Sequence, residues 1–236
     1  MSTDYKYQGE ELTLFETATN WKNYFASHIS SYLTGKVLEV GAGIGGTTLL
    51  LNKGKAESWL LLEPDETMQQ LLQQKINDKL LPSNCIAVKG TLDSLGKNER
   101  FDCIIYIDVL EHIENDADEL KNATDLLAQG GYLVVLSPAF QFIFSPFDKA
   151  IGHFRRYSRK TLSAIRPASL IRKKMIYLDS VGFFASLLNK ILLRQSYPVK
   201  KQVQLWDKWM IPSSKITDRI FLYSFGKSIL AVWKKK

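Results

Sequence analysis

The amino-acid sequence predicts an α/β fold, a mostly parallel sheet covered by helices on both faces. Three observations carry that expectation. Apolar runs of strand length alternate with stretches of helical periodicity over residues 36–138, as parallel strands joined by crossover helices require. The first run ends in the glycine-rich turn Gly41-Ala42-Gly43-Ile44-Gly45-Gly46. Two more strand-like runs, at 173–180 and 227–234, flank a long segment near the end of the chain.

Residues 19–35 read as an amphipathic helix stopped by Gly35, the main part of an N-terminal helical cap over 1–35. Strands are expected at 36–41, 58–64, 84–90, 101–108 and 130–138, whose Val, Ile and Leu content suits strands buried on both faces. Helices are expected at 45–54, 65–78 and 117–130, where apolar residues recur at helical spacing. The segment 181–226 is too long for a plain loop and reads as a helical insertion before the last strand. At 236 residues and 26.9 kDa, the chain 1–236 is expected to be one domain.

With 45% hydrophobic and 23% charged residues, the composition is that of an ordinary soluble globular protein. The first fifteen residues are polar and mixed in charge, unlike a secretory leader. The longest apolar run, in 180–193, is interrupted by Asn189-Lys190 and falls short of the roughly 18–20 residues needed to span a bilayer. Cys85 and Cys103 lie in apolar runs and are expected as buried thiols of a cytoplasmic protein. The net charge of +7 hides an asymmetry: residues 151–236 hold 19 Lys/Arg and three acids, a net +16, against −9 for residues 1–150. That polarity fits either an anionic partner on the C-terminal side or a set of solvated faces.

Gly41, Gly43 and Gly46 satisfy the spacing G-x-G-x-x-G, and Glu63 follows at the end of the second strand. By spacing alone this suits a dinucleotide. The discriminating residue is Glu39, two positions before the first glycine. A carboxylate there would oppose a pyrophosphate, at about 4 kcal/mol per charge pair 4 Å apart near a surface. S-adenosylmethionine (SAM) has no phosphate and carries an ammonium and a sulfonium, so the same acid favours it.

The run "VLEVGAGIGG" (37–46), then "LLEPD" (61–65), then "FDCIIYIDVLEHI" (101–113) resembles a class I SAM-dependent methyltransferase. The resemblance implies a Rossmann-like seven-stranded methyltransferase fold, with a final antiparallel strand at the far edge of the sheet. It also implies SAM as cofactor, with S-adenosylhomocysteine as product. By that resemblance Glu39, Gly41, Ala42, Gly43 and Gly45 form the methionine end of the cofactor wall. Glu63, with Pro64 beside it, would accept bonds from the ribose hydroxyls. Thr91 and Leu92 stand where relatives carry an acid for the adenine amino group, with Asp93 close by. Asp108 and Val109 would line the methionine side.

His112, in Leu-Glu-His after the fourth strand, is either a loop brace or a catalytic group. The segment 137–162, after the fifth strand, collects five phenylalanines and the polar group Asp148, His153, Arg155, Arg156 and Tyr157. His153 is the candidate proton acceptor, and Arg155 and Arg156 the candidate anion clamp. The run Gly-His-x-Arg-Arg-Tyr (152–157), with Phe-Gly-Lys-Ser at 225–228, resembles a bacterial subgroup found alongside glycosyltransferases of surface-glycan and polyprenyl-linked sugar pathways. That resemblance implies O-methylation of a small or lipid- or glycan-linked, anionic acceptor. N-methylation of a small amine or peptide is an alternative. An RNA-directed methyltransferase or RNA-binding module using the basic half is another, although no RNA-binding motif accompanies it. No His/Cys ligand cluster is visible in the sequence, so no metal is expected. The apolar helices of 181–226, flanked by lysines and tryptophans, read as a lid over the acceptor, a contact with an anionic membrane, or both.

Overall fold

A computed structural model of the chain describes residues 11–190 and 199–236. Two helices open it, α1 (Glu11–Glu16) and α2 (Thr19–Ile29). Then follow β1 (Gly35–Val40), α3 (Thr48–Leu51), β2 (Ala56–Glu63), α4 (Glu66–Asn77), β3 (Cys85–Lys89), β4 (Phe101–Ile107), α5 (Asp116–Leu126) and β5 (Leu127–Pro138). Short helices α6 (Pro146–Ala150) and α7 (Arg159–Ala164) lead to β6 (Leu170–Leu178). The insertion contains α8 (Ser180–Leu188), α9 (Lys200–Leu205), a π-helical turn over Trp206–Met210 and α10 (Ile211–Ile220), before β7 (Ser228–Lys235). Residues 1–10 of the expected cap and 191–198 of the expected insertion lie outside the described residues.

All seven expected strands are present, in one sheet of order β3-β2-β1-β4-β5-β7-β6. The first five pair in parallel, while β7 runs antiparallel to both β5 and β6. The last strand is therefore one place in from the rim, and β6 forms the edge. Side chains alternate between two cores, as the pleat demands. Val37, Trp59, Leu61, Cys103, Ile105, Val134 and Val232 pack beneath α2 and α4. Leu38, Leu62, Ile104, Tyr106, Leu133, Val135 and Trp233 face α5 and α7 on the other side. Cys85 and Cys103 are buried free thiols, as expected; burial pushes Cys85 up to about 11.

Several boundaries differ from the sequence-based expectation. The first long helix ends at Ile29, not at Gly35. Ser30 to Thr34 form turns that carry Leu33 into the core, and Gly35 starts β1 with φ +66. A Cβ on Gly35 would lie 2.2 Å from the Asp102 carboxylate, so this glycine serves strand entry. The helix expected at 45–54 is a single turn, and β5 begins at Leu127 instead of Gly130.

The three acids of the basic half are all buried and hold the insertion in place. Asp207 accepts from the backbone N–H groups of Asn20 (3.1 Å) and Trp21 (2.8 Å), capping α2, whose own N-cap residue Ala18 offers no acceptor. Asp218 accepts from Tyr24 Oη and from the N–H groups of Asp179 and Ser180, all at 2.8 Å. Asp179 caps α8 through Gly182 N and also accepts from Trp206 Nε1 and Ser214 Oγ. These carboxylates tie α2, α8 and α10 into one unit beside the sheet.

Candidate active site

A cavity of about 1420 Å³ opens at the carboxyl ends of β1, β4 and β5. This is where strand order reverses, the standard ligand crevice of an open α/β sheet. A cleft for one small ligand measures roughly 300–1,000 Å³, so this one has room for a donor and an acceptor together. α2 closes one side with Trp21, Lys22 and Phe25, and the insertion closes another with Ala185, Val203 and Trp206.

The glycine turn is built for close approach. Gly41 donates to Leu62 O at 2.8 Å and has φ +66; a Cβ there would sit 2.7 Å from Val109. Ala42 and Gly43 line the cavity, and Gly43 N donates to Glu63 Oε2 at 2.8 Å. Gly45 does not line it. Its missing Cβ makes room for Leu72 of α4, so it serves packing and not the ligand.

Glu39 lies beneath the turn, 2% exposed. Its Oε2 accepts from Thr48 Oγ1 and Trp59 Nε1, each at 2.8 Å, leaving Oε1 to the cavity. Burial raises its pKa to about 7, against the lowering effect of those two bonds and the Lys22 charge. A cation in the cavity would favour its ionised form. The helix whose N-terminus would meet a pyrophosphate, α3, is only four residues long and has little dipole to offer. The floor of the crevice thus fits a cationic, phosphate-free ligand.

Glu63 is held by Gly43 N and Asp65 N, and burial raises its pKa. Pro64, Thr91 and Asp93 line the cavity beside it. Leu92 instead packs into the core, 5% exposed, so only its neighbours can meet a ligand. Asp108, at φ +54, and Val109 line the opposite wall. The Asp108 carboxyl opens to the cavity, and the protein surrounding it raises its pKa to about 6.

After β5 the chain organises around Asp148. Ser145 caps α6 reciprocally with Asp148, and Arg156 donates to both Asp148 oxygens, Nε at 2.8 Å and Nη2 at 2.9 Å. His153 Nδ1 lies 3.0 Å from Asp148 Oδ1. Burial opposes ionisation of Asp148, but the bonds from His153 and Arg156 hold it well below the usual carboxylate range.

Arg155 turns outward, pairing with Asp116 at 2.7 Å and donating to Glu114 O at 2.8 Å. The buried Tyr157 donates to the same Asp116 at 2.7 Å. Neither lines the cavity, and both staple this segment to the start of α5. The expected anion clamp is therefore corrected: Arg155 points away, and Arg156 lines the cavity with its guanidinium engaged by Asp148. Among the lysines that line the cavity, Lys227 stands next to this segment's Asp148 and Arg156, its ammonium 4.6 Å from the centre of the Trp206 ring. Burial lowers its pKa. Its run, Phe-Gly-Lys-Ser, was the available signal, although it pointed to no role.

His112 and His153 meet edge to face, ring centres 4.5 Å apart, and both line the cavity. Burial and the His153 charge lower the His112 pKa to about 3. Glu111 stands between them and the strand ends, fully buried. Burial, and then the Asp108 charge, push its pKa well above the usual range. The sequence shows no ligand cluster, but the fold makes one: Glu111, His112 and His153 each place a ligand atom within 4.8 Å of the others.

Among curated proteins none matches the chain by sequence. The fold is shared with a putative sarcosine dimethylglycine methyltransferase from Galdieria sulphuraria (15% identity, TM-score 0.62, 92% of this chain and 85% of that one). It is also shared with an S-adenosylmethionine-dependent methyltransferase from Clostridium acetobutylicum (11%, 0.58, 92% of each chain). N-methyltransferase NodS from Bradyrhizobium japonicum, in complex with S-adenosylhomocysteine, is similar too (15%, 0.57, 94% and 87%). A family profile described as a methyltransferase domain matches residues 16–173, well over half of the sequence, and the chain belongs to that family.

Proposed function

We propose that this chain, a methyltransferase drawing on S-adenosylmethionine, methylates a hydroxyl of a small or lipid- or glycan-linked acceptor that carries negative charge. When bound, SAM supplies a methyl group on a sulfonium; the acceptor oxygen takes the methyl, the C–S electron pair stays with sulfur, and the hydroxyl proton leaves. The chain's own residues divide that work. Glu39 and Glu63 hold the cationic donor end and the ribose side beneath the glycine turn. Asp108 and Val109 face them across the crevice. Trp206, Val203 and Ala185 exclude water from the acceptor side, which favours a displacement whose charge is neutralised as it proceeds.

The observation that carries the hydroxyl reading is the Asp148–His153 pair. Asp148, fixed by Arg156, takes the Nδ1 proton of His153 as a hydrogen bond, which leaves Nε2 as the basic nitrogen in the cavity wall. An amine that arrives neutral needs no such group; a hydroxyl does. Lys227 supports an anionic acceptor, because its ammonium stands in the cavity with an aromatic ring beneath it and no ion pair within 4 Å among the described residues.

The test is mass spectrometry for a gain of one methyl over a panel of nucleotide sugars, polyprenyl-phosphate sugars, phenols, amines and tRNA. The product on a hydroxyl-bearing anion should fall about a hundredfold in rate with His153→Asn, at unchanged SAM affinity, while Lys227→Met should raise KM for that acceptor. Methylation of amines alone, or full activity of the His153 variant, would overturn the reading. N-methylation is the second reading, favoured by the N-methyltransferase among the structural neighbours.

We also propose that the insertion contacts an anionic membrane. Trp209, Ile216 and Ile220 are exposed along one helical stretch, with Leu188 and Leu222 exposed beside them. Because Asp207 and Asp218 are buried, every exposed charge on the described part of 181–226 is basic, which disfavours a second copy of the same face. Leu188, Lys190, Lys201 and Leu205 belong both to this surface and to the cavity rim, so a lipid-linked acceptor would reach the site from it.

A further inference from the structure

The loop after β4 and the segment after β5 converge on a side-chain cluster with an unmet electrostatic demand. Glu111 is 0% exposed, and neither of its carboxyl oxygens makes a hydrogen bond of full geometry among the described residues, although the Ser137 hydroxyl and its own backbone N–H lie nearby. A buried polar group left unpaired costs roughly 1–3 kcal/mol, and more if charged. His153 Nε2 stands 3.8 Å from Glu111 Oε1, too far for a hydrogen bond and open enough for an ion between them. His112 presents its ring at a right angle to that of His153.

The orientation of His153 is the second, independent observation. Asp148 receives two guanidinium bonds from Arg156 and one from the Ser145 hydroxyl, so it is an acceptor toward Nδ1. That places a proton on Nδ1 and leaves Nε2, which faces Glu111, as the nitrogen able to ligate. A carboxylate behind an imidazole, fixing its tautomer and raising its basicity, is the arrangement that metal-ligating histidines use.

We propose that Glu111, His112 and His153 bind one divalent transition-metal cation, with Asp148 as the carboxylate that orients His153. Two imidazoles and one carboxylate favour Zn²⁺, Mn²⁺, Fe²⁺ or Co²⁺ over Mg²⁺ and Ca²⁺, which prefer oxygen alone. Ligands about 2.1 Å from a tetrahedral ion lie roughly 3.4 Å apart, so the present spacing of up to 4.8 Å closes by up to about 1.4 Å on binding. All three side chains line the cavity, so the remaining coordination positions face the space where an acceptor enters. There an ion would bind the acceptor oxygen and ease loss of its proton in place of His153 Nε2, whose lone pair the ion then occupies. That role rests on the hydroxyl reading above; the binding itself does not. The competing account is a protonated Glu111 that closes onto His153 with no ion.

The experiment uses the full chain without an affinity tag, stripped with chelator and dialysed against Co²⁺, Mn²⁺ or Zn²⁺. Metal is counted per chain, and the Co²⁺ absorption spectrum reports imidazole ligation. About one ion per chain is expected, and Glu111→Gln or His112→Asn should abolish stoichiometric binding while the far-ultraviolet circular dichroism stays native. Asp148→Asn should weaken it about 10- to 100-fold. No bound ion in the folded wild-type chain, or unchanged binding in both ligand variants, would overturn the site. SAM binding measured in parallel separates the two proposals: SAM uptake without metal sinks the ion alone. One ion per chain with product only on amines supports the site and sinks its role in hydroxyl activation.

Discussion

Glu39 is the single carboxyl that we propose selects the cofactor through its surroundings. Its folded-state pKa of about 7 lies above the ordinary 4.5, so in the empty protein this group costs stability as pH rises through that interval. A bound ammonium favours the ionised form and reverses the sign. SAM affinity should therefore tighten roughly eightfold between pH 6.0 and 7.5, following the ionised fraction of a group titrating near 7. Glu39→Gln should remove that dependence; calorimetry showing equal pH profiles in both proteins would refute the role. The polar residues after β5 carry a second residue-scale lesson. Asp148, His153, Arg155, Arg156 and Tyr157 are legible as a group, but their partners are not. Arg155 and Tyr157 go to Asp116, and Arg156 goes to Asp148, because each guanidinium or phenol takes the nearest carboxylate that the fold presents.

At the scale of elements, strands were the most legible feature. Runs such as "CIIYI" bury both faces and leave few alternatives. Helix ends were less so, because the stops depend on tertiary partners: α2 begins under a cap supplied by Asp207, far along the chain. The same logic makes Asp218 a stability determinant. It is 0% exposed and satisfies three donors from α2 and the β6–α8 junction. Asp218→Ala strands those donors and should cost about 3–5 kcal/mol, lowering Tm by about 10 °C in a chain of this size. A differential-scanning trace within 2 °C or so of wild type would show that the insertion is held by apolar packing instead.

For the whole molecule, the +16 half acquires meaning only once its three acids are seen to be internal. Its exposed charge is then uniformly positive over the described insertion, interleaved with exposed Trp209, Ile216 and Ile220. No helix of the described residues is long and apolar enough to cross a membrane, so any contact made by those helices is at the surface. Co-sedimentation with vesicles containing anionic lipid should exceed that with zwitterionic vesicles. It should weaken with salt, and separately by about 1 kcal/mol for each basic residue removed. Trp209→Ser with Ile216→Ser should reduce it further without moving SAM affinity. Equal pelleting with both lipids, or none with either, rejects the membrane; co-purifying nucleic acid would turn the same surface toward RNA.

By itself the sequence determined the sheet, its five-strand parallel core and the residues proposed to hold the donor. Those depend on local pattern: hydrophobic runs, a glycine turn, and acids at Glu39 and Glu63 placed at strand ends. The tertiary structure alone decided which residues share the acceptor half. Glu111 and His112 follow β4, His153 follows β5, and Lys227 precedes β7; only the pairing of β4 with β5 and of β5 with β7 brings them to one rim. Their meeting is a consequence of strand order, which no local periodicity encodes.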